Sequence, residues 1–162
     1  MTTTTQETTI EAVPDLPVVR IVREFDAPRE RVYRAHVDPE LIAQWLGPAS
    51  LTCRIDTWDL RTGGEYRYTA VRDGEEVAHF YGSVHRVWDG EKIVQTFGFD
   101  EMPEAVSLDT LVLTDLPGGR TRLEVTSVVD SIEARDAMLA SGMETGVNEG
   151  YAALDRLLAA GA

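Results

Sequence analysis

Three histidines, a single cysteine and a few glycine-flanked hydroxyls are the side chains here best suited to chemistry. His36, His79 and His85 have the type needed for a metal ligand or a general base. His79 and His85 fall in one predicted strand, where their separation corresponds to ~20 Å at 3.3 Å per residue. They cannot share a metal on a straight strand, and His36 belongs to a separate short helix. No metal and no cofactor is expected. Cys53 stands alone, which excludes an internal disulfide and the zinc sites built on cysteine pairs. In a strand-like stretch it reads as a small buried hydrophobe. Ser83 follows Gly82 on a strand, not on the sharp strand-to-helix turn that presents a nucleophilic serine. Gly63-Gly64 lacks the further glycines of a phosphate loop. An enzyme would need a converging polar pair, and none is legible.

The rings are more informative. From Glu65 to Arg72, strict alternation puts Tyr66, Tyr68 and Ala70 on one face. Ile93, Gln95, Phe97 and Phe99 share a face of another strand. From Val77 to Trp88 the even positions Phe80, Gly82, Val84 and Trp88 are the more apolar set. If they look inward, Arg86 enters the interior and needs a carboxylate, from the protein or from a ligand acid. If they do not, Arg86 is a solvated surface residue. Rings on a common face either fill a core or line a cavity. Trp45 and Trp58 read first as staples for short helices and a sheet edge. The candidate ligand-lining set is Trp45, Tyr66, Tyr68, Phe80, Arg86, Phe97, Phe99, Met143, Val147 and Tyr151.

The elements that must position these residues follow from punctuation. Residues 1–16 are polar, Thr-rich and closed by Pro14 and Pro17, and read as a disordered tail, leaving 17–162 as one domain. Val18 to Phe25 is a first strand. Asp26-Ala27-Pro28 and Asp38-Pro39-Glu40 open two short helices, and Gly47-Pro48 ends the second. Six further strands run from Thr52 to Val129, with hairpin turns at Asp73-Gly74, Asp89-Gly90 and Pro117-Gly118-Gly119. Ser131 to Ala140 is a short helical or irregular piece. Ser141-Gly142-Met143-Glu144 has capping-box spacing, and Met143, Val147, Gly150, Tyr151, Leu154 and Leu158 form one apolar stripe behind it. The expected fold is α+β: a curved antiparallel sheet of about seven strands wrapped around a long C-terminal helix. One helix seldom fills such a curve, so a hollow is expected between them.

Charge narrows the partners. Twenty-eight acidic against fifteen basic residues give a formal net charge of −13. That argues against nucleic acid and against an anionic membrane surface. No apolar run approaches the ~20 residues of a membrane span, and no signal-peptide pattern precedes the domain. A cytoplasmic location is expected. A homodimer is compatible with the sequence.

Several stretches together carry a resemblance. They are Val37-Asp38-Pro39-Glu40-Leu41 running to Trp45-Leu46-Gly47-Pro48, then Asp59-Leu60-Arg61-Thr62-Gly63-Gly64, then Gly82-Ser83-Val84, and finally Ser141 to Gly146. In this order the chain resembles, from about Val18 to Ala160, the bacterial branch of the activator of heat-shock-protein-90 ATPase homologue family. That family belongs to the START-like helix-grip superfamily, which also holds polyketide cyclases and lipid-transfer domains. Arg86 stands where the family commonly has an acid, and Val147 where a tryptophan often follows the helix glycine. The resemblance implies the helix-grip fold and a cavity for a small apolar molecule, which inward-facing Arg86 would extend to one with an acid group. A polyketide cyclase or dehydratase using the same cavity, and a co-chaperone-like interaction module, are the alternatives it leaves open.

Overall fold

The computed structural model describes residues 6–162. One antiparallel sheet of eight strands forms the body, in the order β1-β2-β8-β7-β6-β5-β4-β3. The strands are β1 (Thr9–Ala12), β2 (Val18–Phe25), β3 (Thr52–Trp58), β4 (Glu65–Arg72), β5 (Glu75–Trp88), β6 (Lys92–Phe99), β7 (Met102–Leu116) and β8 (Arg120–Val128). The helices are α1 (Arg29–Val37), α2 (Pro39–Ile42), α3 (Ile132–Ala140) and α4 (Met143–Ala159). All neighbours from β3 to β8 are consecutive in sequence, and β2 closes on β8. The meander and the long last helix agree with the helix-grip expectation.

Three local readings are corrected. Thr9–Ala12 is an edge strand paired with β2, Ile10 opposite Ile21, so the sheet has eight strands and the expected tail is structured there. The rest of that expectation, residues 1–5, lies outside the described residues. Ser141 does not cap α4. Its Oγ donates to the Met138 carbonyl at the end of α3 (2.6 Å), and α4 starts after Gly142, whose φ of 86° is left-handed. Asp26 does not cap α1 but accepts from Arg120 Nε (2.7 Å). Asp38 does cap α2, accepting from the Glu40 amide (2.9 Å).

A bulge in β3, two in β5 and an irregularity at the β6–β7 turn interrupt the register and bend the sheet. The helices occupy the concave side. Val19, Ile21, Phe25, Leu123 and Val125 of β2 and β8 join Val32 and Ala35 of α1 and Leu154 and Leu158 of α4 in one sealed core. Gly150 lets α4 close on the loop after α2, because a Cβ there would stand 3.0 Å from the Trp45 carbonyl oxygen. Both indoles nearby donate to the last turn of α1: Trp45 Nε1 to Ala35 O (2.9 Å) and Trp58 Nε1 to His36 O (3.0 Å). They satisfy carbonyls that a helix end leaves unpaired.

Candidate functional site

The concave face of β4–β7 differs from the sealed core. Register puts Tyr66 and Tyr68 beside Gly82 and Phe80, Phe80 beside Phe99, and Phe97 beside Ser107. The rings stack along the sheet: Tyr68 on Phe80 at 4.9 Å between centroids, and Phe80 on Phe97 at 5.6 Å, with Phe99 at 6.1 Å. Tyr68, Phe80, Phe97 and Phe99 face inward yet remain only half-buried. Tyr66 lies flat. Its ring crosses Gly82 so that its hydroxyl donates to the Thr96 carbonyl on β6 (2.7 Å). A Cβ on Gly82 would collide with that ring and with Thr96 O. Burial raises the phenol pKa of both Tyr66 and Tyr68, so neither is a base. Cys53 lies on the same side of the sheet, its thiol pushed up to about 11 by burial, and is inert.

A polar row crosses this apolar face. Gln95 on β6 is the direct partner of Asp109 on β7, and Asp109 that of Ser127 on β8. Ser107 Oγ donates to Asp109 Oδ1 (2.8 Å). Burial raises the Asp109 pKa, against the hydrogen bonds from Ser107 and Ser127, which lower it. Gln95 Oε1 is buried with no hydrogen-bond partner. Gln95 is legible as an inward residue from the β6 alternation, but Asp109, Ser107 and Ser127 are not. On β7 the apolar Val106, Leu108 and Val112 face out and are exposed, while Ser107 and Asp109 face in. The signal that could find them is parity with the buried Leu113 four residues on.

The other expected lining residues lie elsewhere. Tyr151 stacks on Trp45 (6.0 Å) and meets Phe25 edge-on (5.4 Å), so both belong to the sealed core. Met143 and Val147 are partly buried on the core side of α4. Arg86 is outside. The bulge between Val84 and Arg86 shifts parity, so Val84 and Val87 face in and Arg86 pairs with outward Val94, its guanidinium over Trp88 (5.1 Å). The expectation of an acid group on the ligand rested on Arg86 and falls with it. Apart from Arg72 at the exposed end of β4, no arginine or lysine has the inward parity of β4–β7.

The histidines do not converge. His36 is buried beside Trp45, its Nδ1 donating to Val32 O (2.8 Å), and desolvation lowers its pKa, keeping it neutral. It borders a void of about 10 Å³ with Tyr33, Ile93, Leu111 and Leu123, which is the scale of one water. His79 lies on the convex face between Glu76 and Glu101 (2.8 Å each), and His85 sits exposed in the bulge. Among the described residues no group of three or more metal-ligating side chains is placed to hold an ion. Among the described residues no helix is long and apolar enough to cross a membrane.

Solved structures share this architecture. A crystal structure from Rhodobacter sphaeroides is 27% identical, with a TM-score of 0.86 over 95% of this chain and 99% of that one. One from Mycobacterium smegmatis is 28% identical, with a TM-score of 0.83 over 94% and 97%. A solution structure from Arthrobacter aurescens is 26% identical, with a TM-score of 0.84 over 95% and 92%. No curated protein matches the chain. The fold is thus shared across whole chains, and with residues 26–159 matching the model of activator of Hsp90 ATPase homolog 1-like proteins, the chain belongs to that family, within the START-like helix-grip superfamily.

Proposed function

We propose that the protein binds a small apolar molecule on the concave face of β4–β7, beneath the α3–α4 side. The observation that carries this reading is the stacked row Tyr68–Phe80–Phe97, with Phe99 beside it, which faces the interior but stays half-buried. Rings left open to water on an inward face cost hydrophobic free energy that a bound apolar molecule recovers, at ~25 cal/mol per Å² covered. The test is a titration with naphthalene followed by amide and methyl NMR. Binding on this face shifts the signals of Tyr68, Phe80, Phe97 and Phe99. Shifts confined to the convex residues Leu108 and Val128, or none at all, would overturn it.

Catalysis in the same hollow is the second reading, favoured by Asp109. A carboxyl whose pKa is raised by burial is suited to general-acid work of the kind a cyclase or dehydratase needs. Turnover lost in Asp109→Asn with ligand binding retained would support it. A bound ligand recovered chemically unchanged after prolonged incubation would oppose it.

A further inference from the structure

The unpartnered amide of Gln95 is the most specific feature of this face. Its Oε1 is buried and accepts no hydrogen bond. Of the two ends of the amide, only Oε1 is buried without a partner. A buried acceptor left open is destabilising, and proteins seldom retain one without a use. Asp109, directly across the strand pair with a Cβ separation of roughly 5 Å, offers a second acceptor. Its hydrogen bonds come from Ser107 and Ser127, not from Gln95. Around this pair stand the Phe97 ring on β6 and Leu111 on β7, with no cation at the neighbouring inward positions of β5–β7.

We propose, presupposing that this face holds a ligand at all, that Gln95 and Asp109 select an aromatic molecule carrying a neutral hydroxyl. The hydroxyl donates to Gln95 Oε1, and the ring lies along Phe97 and Phe80. An anionic ligand is rejected because no cation beside Gln95 and Asp109 would neutralise it, and the carboxyl of Asp109 would face it. An ammonium is disfavoured because the Asp109 carboxyl resists ionising in this site.

Four probes of one ring system separate the cases: naphthalene, 2-naphthol, 2-naphthoate and 2-naphthylmethylamine, each titrated by calorimetry into the full chain. The expected order is 2-naphthol about tenfold tighter than naphthalene, with the naphthoate weakest. Gln95→Leu should bring naphthol and naphthalene to parity. Gln95→Met, closer in shape, repeats the comparison if the leucine variant melts early. Naphthalene binding as tightly as naphthol in the native protein would overturn the hydroxyl selection while leaving apolar binding intact. Tightest binding by the amine or the naphthoate would overturn the neutrality. Failure of all four to bind would overturn the binding reading and the selection together.

Discussion

The two halves of the concave face are built by the same period-2 alternation and end in opposite states. On β2 and β8, Val19, Phe25 and Leu123 are sealed under α1 and α4. On β4–β7, Tyr68, Phe80 and Phe97 are aimed the same way and stay half-open. Each half also carries an inward polar group. Arg23 on β2 is 2% exposed and fully engaged: its guanidinium forks onto Asp155 of α4 (2.6 and 3.0 Å) and lies over the Phe25 ring (5.0 Å). Gln95 on β6 has no partner. A polar group inside a protein is either paired by the fold, as Arg23 is, or left for something else to pair. The contrast separates core from site without reference to any ligand.

The sharpest way to break the comparison is to unpair Arg23. Asp155→Ala leaves a guanidinium buried without its counter-charge and should cost about 3 kcal/mol, measured by urea melts. Asp109→Ala, in the open half, should cost far less. Equal losses would mean that both halves are structural. The double change Arg23→Met/Asp155→Leu should recover most of the loss, because an apolar pair of similar volume replaces a buried ion pair at little cost. Aromatic truncation gives the same ranking, with Phe25→Ala costing about 3–5 kcal/mol and Phe97→Ala about 1 kcal/mol.

The next effect tests how the open half is floored. Gly82→Ala should destabilise by about 1–3 kcal/mol, because the added methyl displaces the Tyr66 ring and its bond to Thr96 O. Tyr66→Phe keeps the ring and loses only the hydroxyl, and should cost about 1 kcal/mol. If Gly82→Ala is neutral, the tyrosine is loosely held and the floor is not fixed.

Where the sequence was readable and where it was not follows the same division. Alternation placed Tyr66, Tyr68, Phe97, Phe99 and Gln95 on inward faces because β4 and β6 keep their period over those residues. It misplaced Arg86, because one bulged residue flips every side chain beyond it and leaves no mark in composition. It missed Asp109 for a different reason: the apolar residues at that end of β7 are the outward ones, so the hydrophobic pattern points the wrong way. It read Thr9–Ala12 as tail because a four-residue polar edge strand exists only through its distant partner β2. Local rules report local periods, and Arg86 and Thr9–Ala12 lie where long-range register decides instead.

A smaller effect is the pH dependence of Asp109. Its pKa is raised above the ordinary 3.8 by burial, so above that pH the folded chain holds a proton the unfolded chain has lost. Stability therefore falls as pH climbs from about 4 through the raised value. Asp109→Asn removes that decline, and the variant should gain on the native protein as pH rises, in urea melts from pH 4 to 8. A native profile identical in shape to that of the variant would show that the carboxyl is solvated, and the half-open face would then be wet at its polar row.

The smallest expected effect lies on the convex face and serves as the control. His79 sits between Glu76 and Glu101, and the hydrogen bonds it donates to both, Glu76 first, raise its pKa above 6.5. Both carboxyls are lowered below 4.5, each chiefly by its hydrogen bond with His79. The signs are opposite and define a window. The histidine's contribution is fully present below pH 6.5 and is lost as pH rises through its raised value, while those of the carboxyls are present above 4.5 and are lost as pH falls through their lowered values. The cluster is thus most stabilising between those limits, and it is solvent-screened, so added salt should weaken it. His79→Gln should flatten the stability profile above pH 6.5 and leave ligand affinity untouched. NMR titration of the imidazole in the native protein checks the cause. A midpoint at or below 6.5 would mean that the two glutamates do not hold the ring, and a change in naphthalene affinity in His79→Gln would mean that the convex and concave faces are coupled.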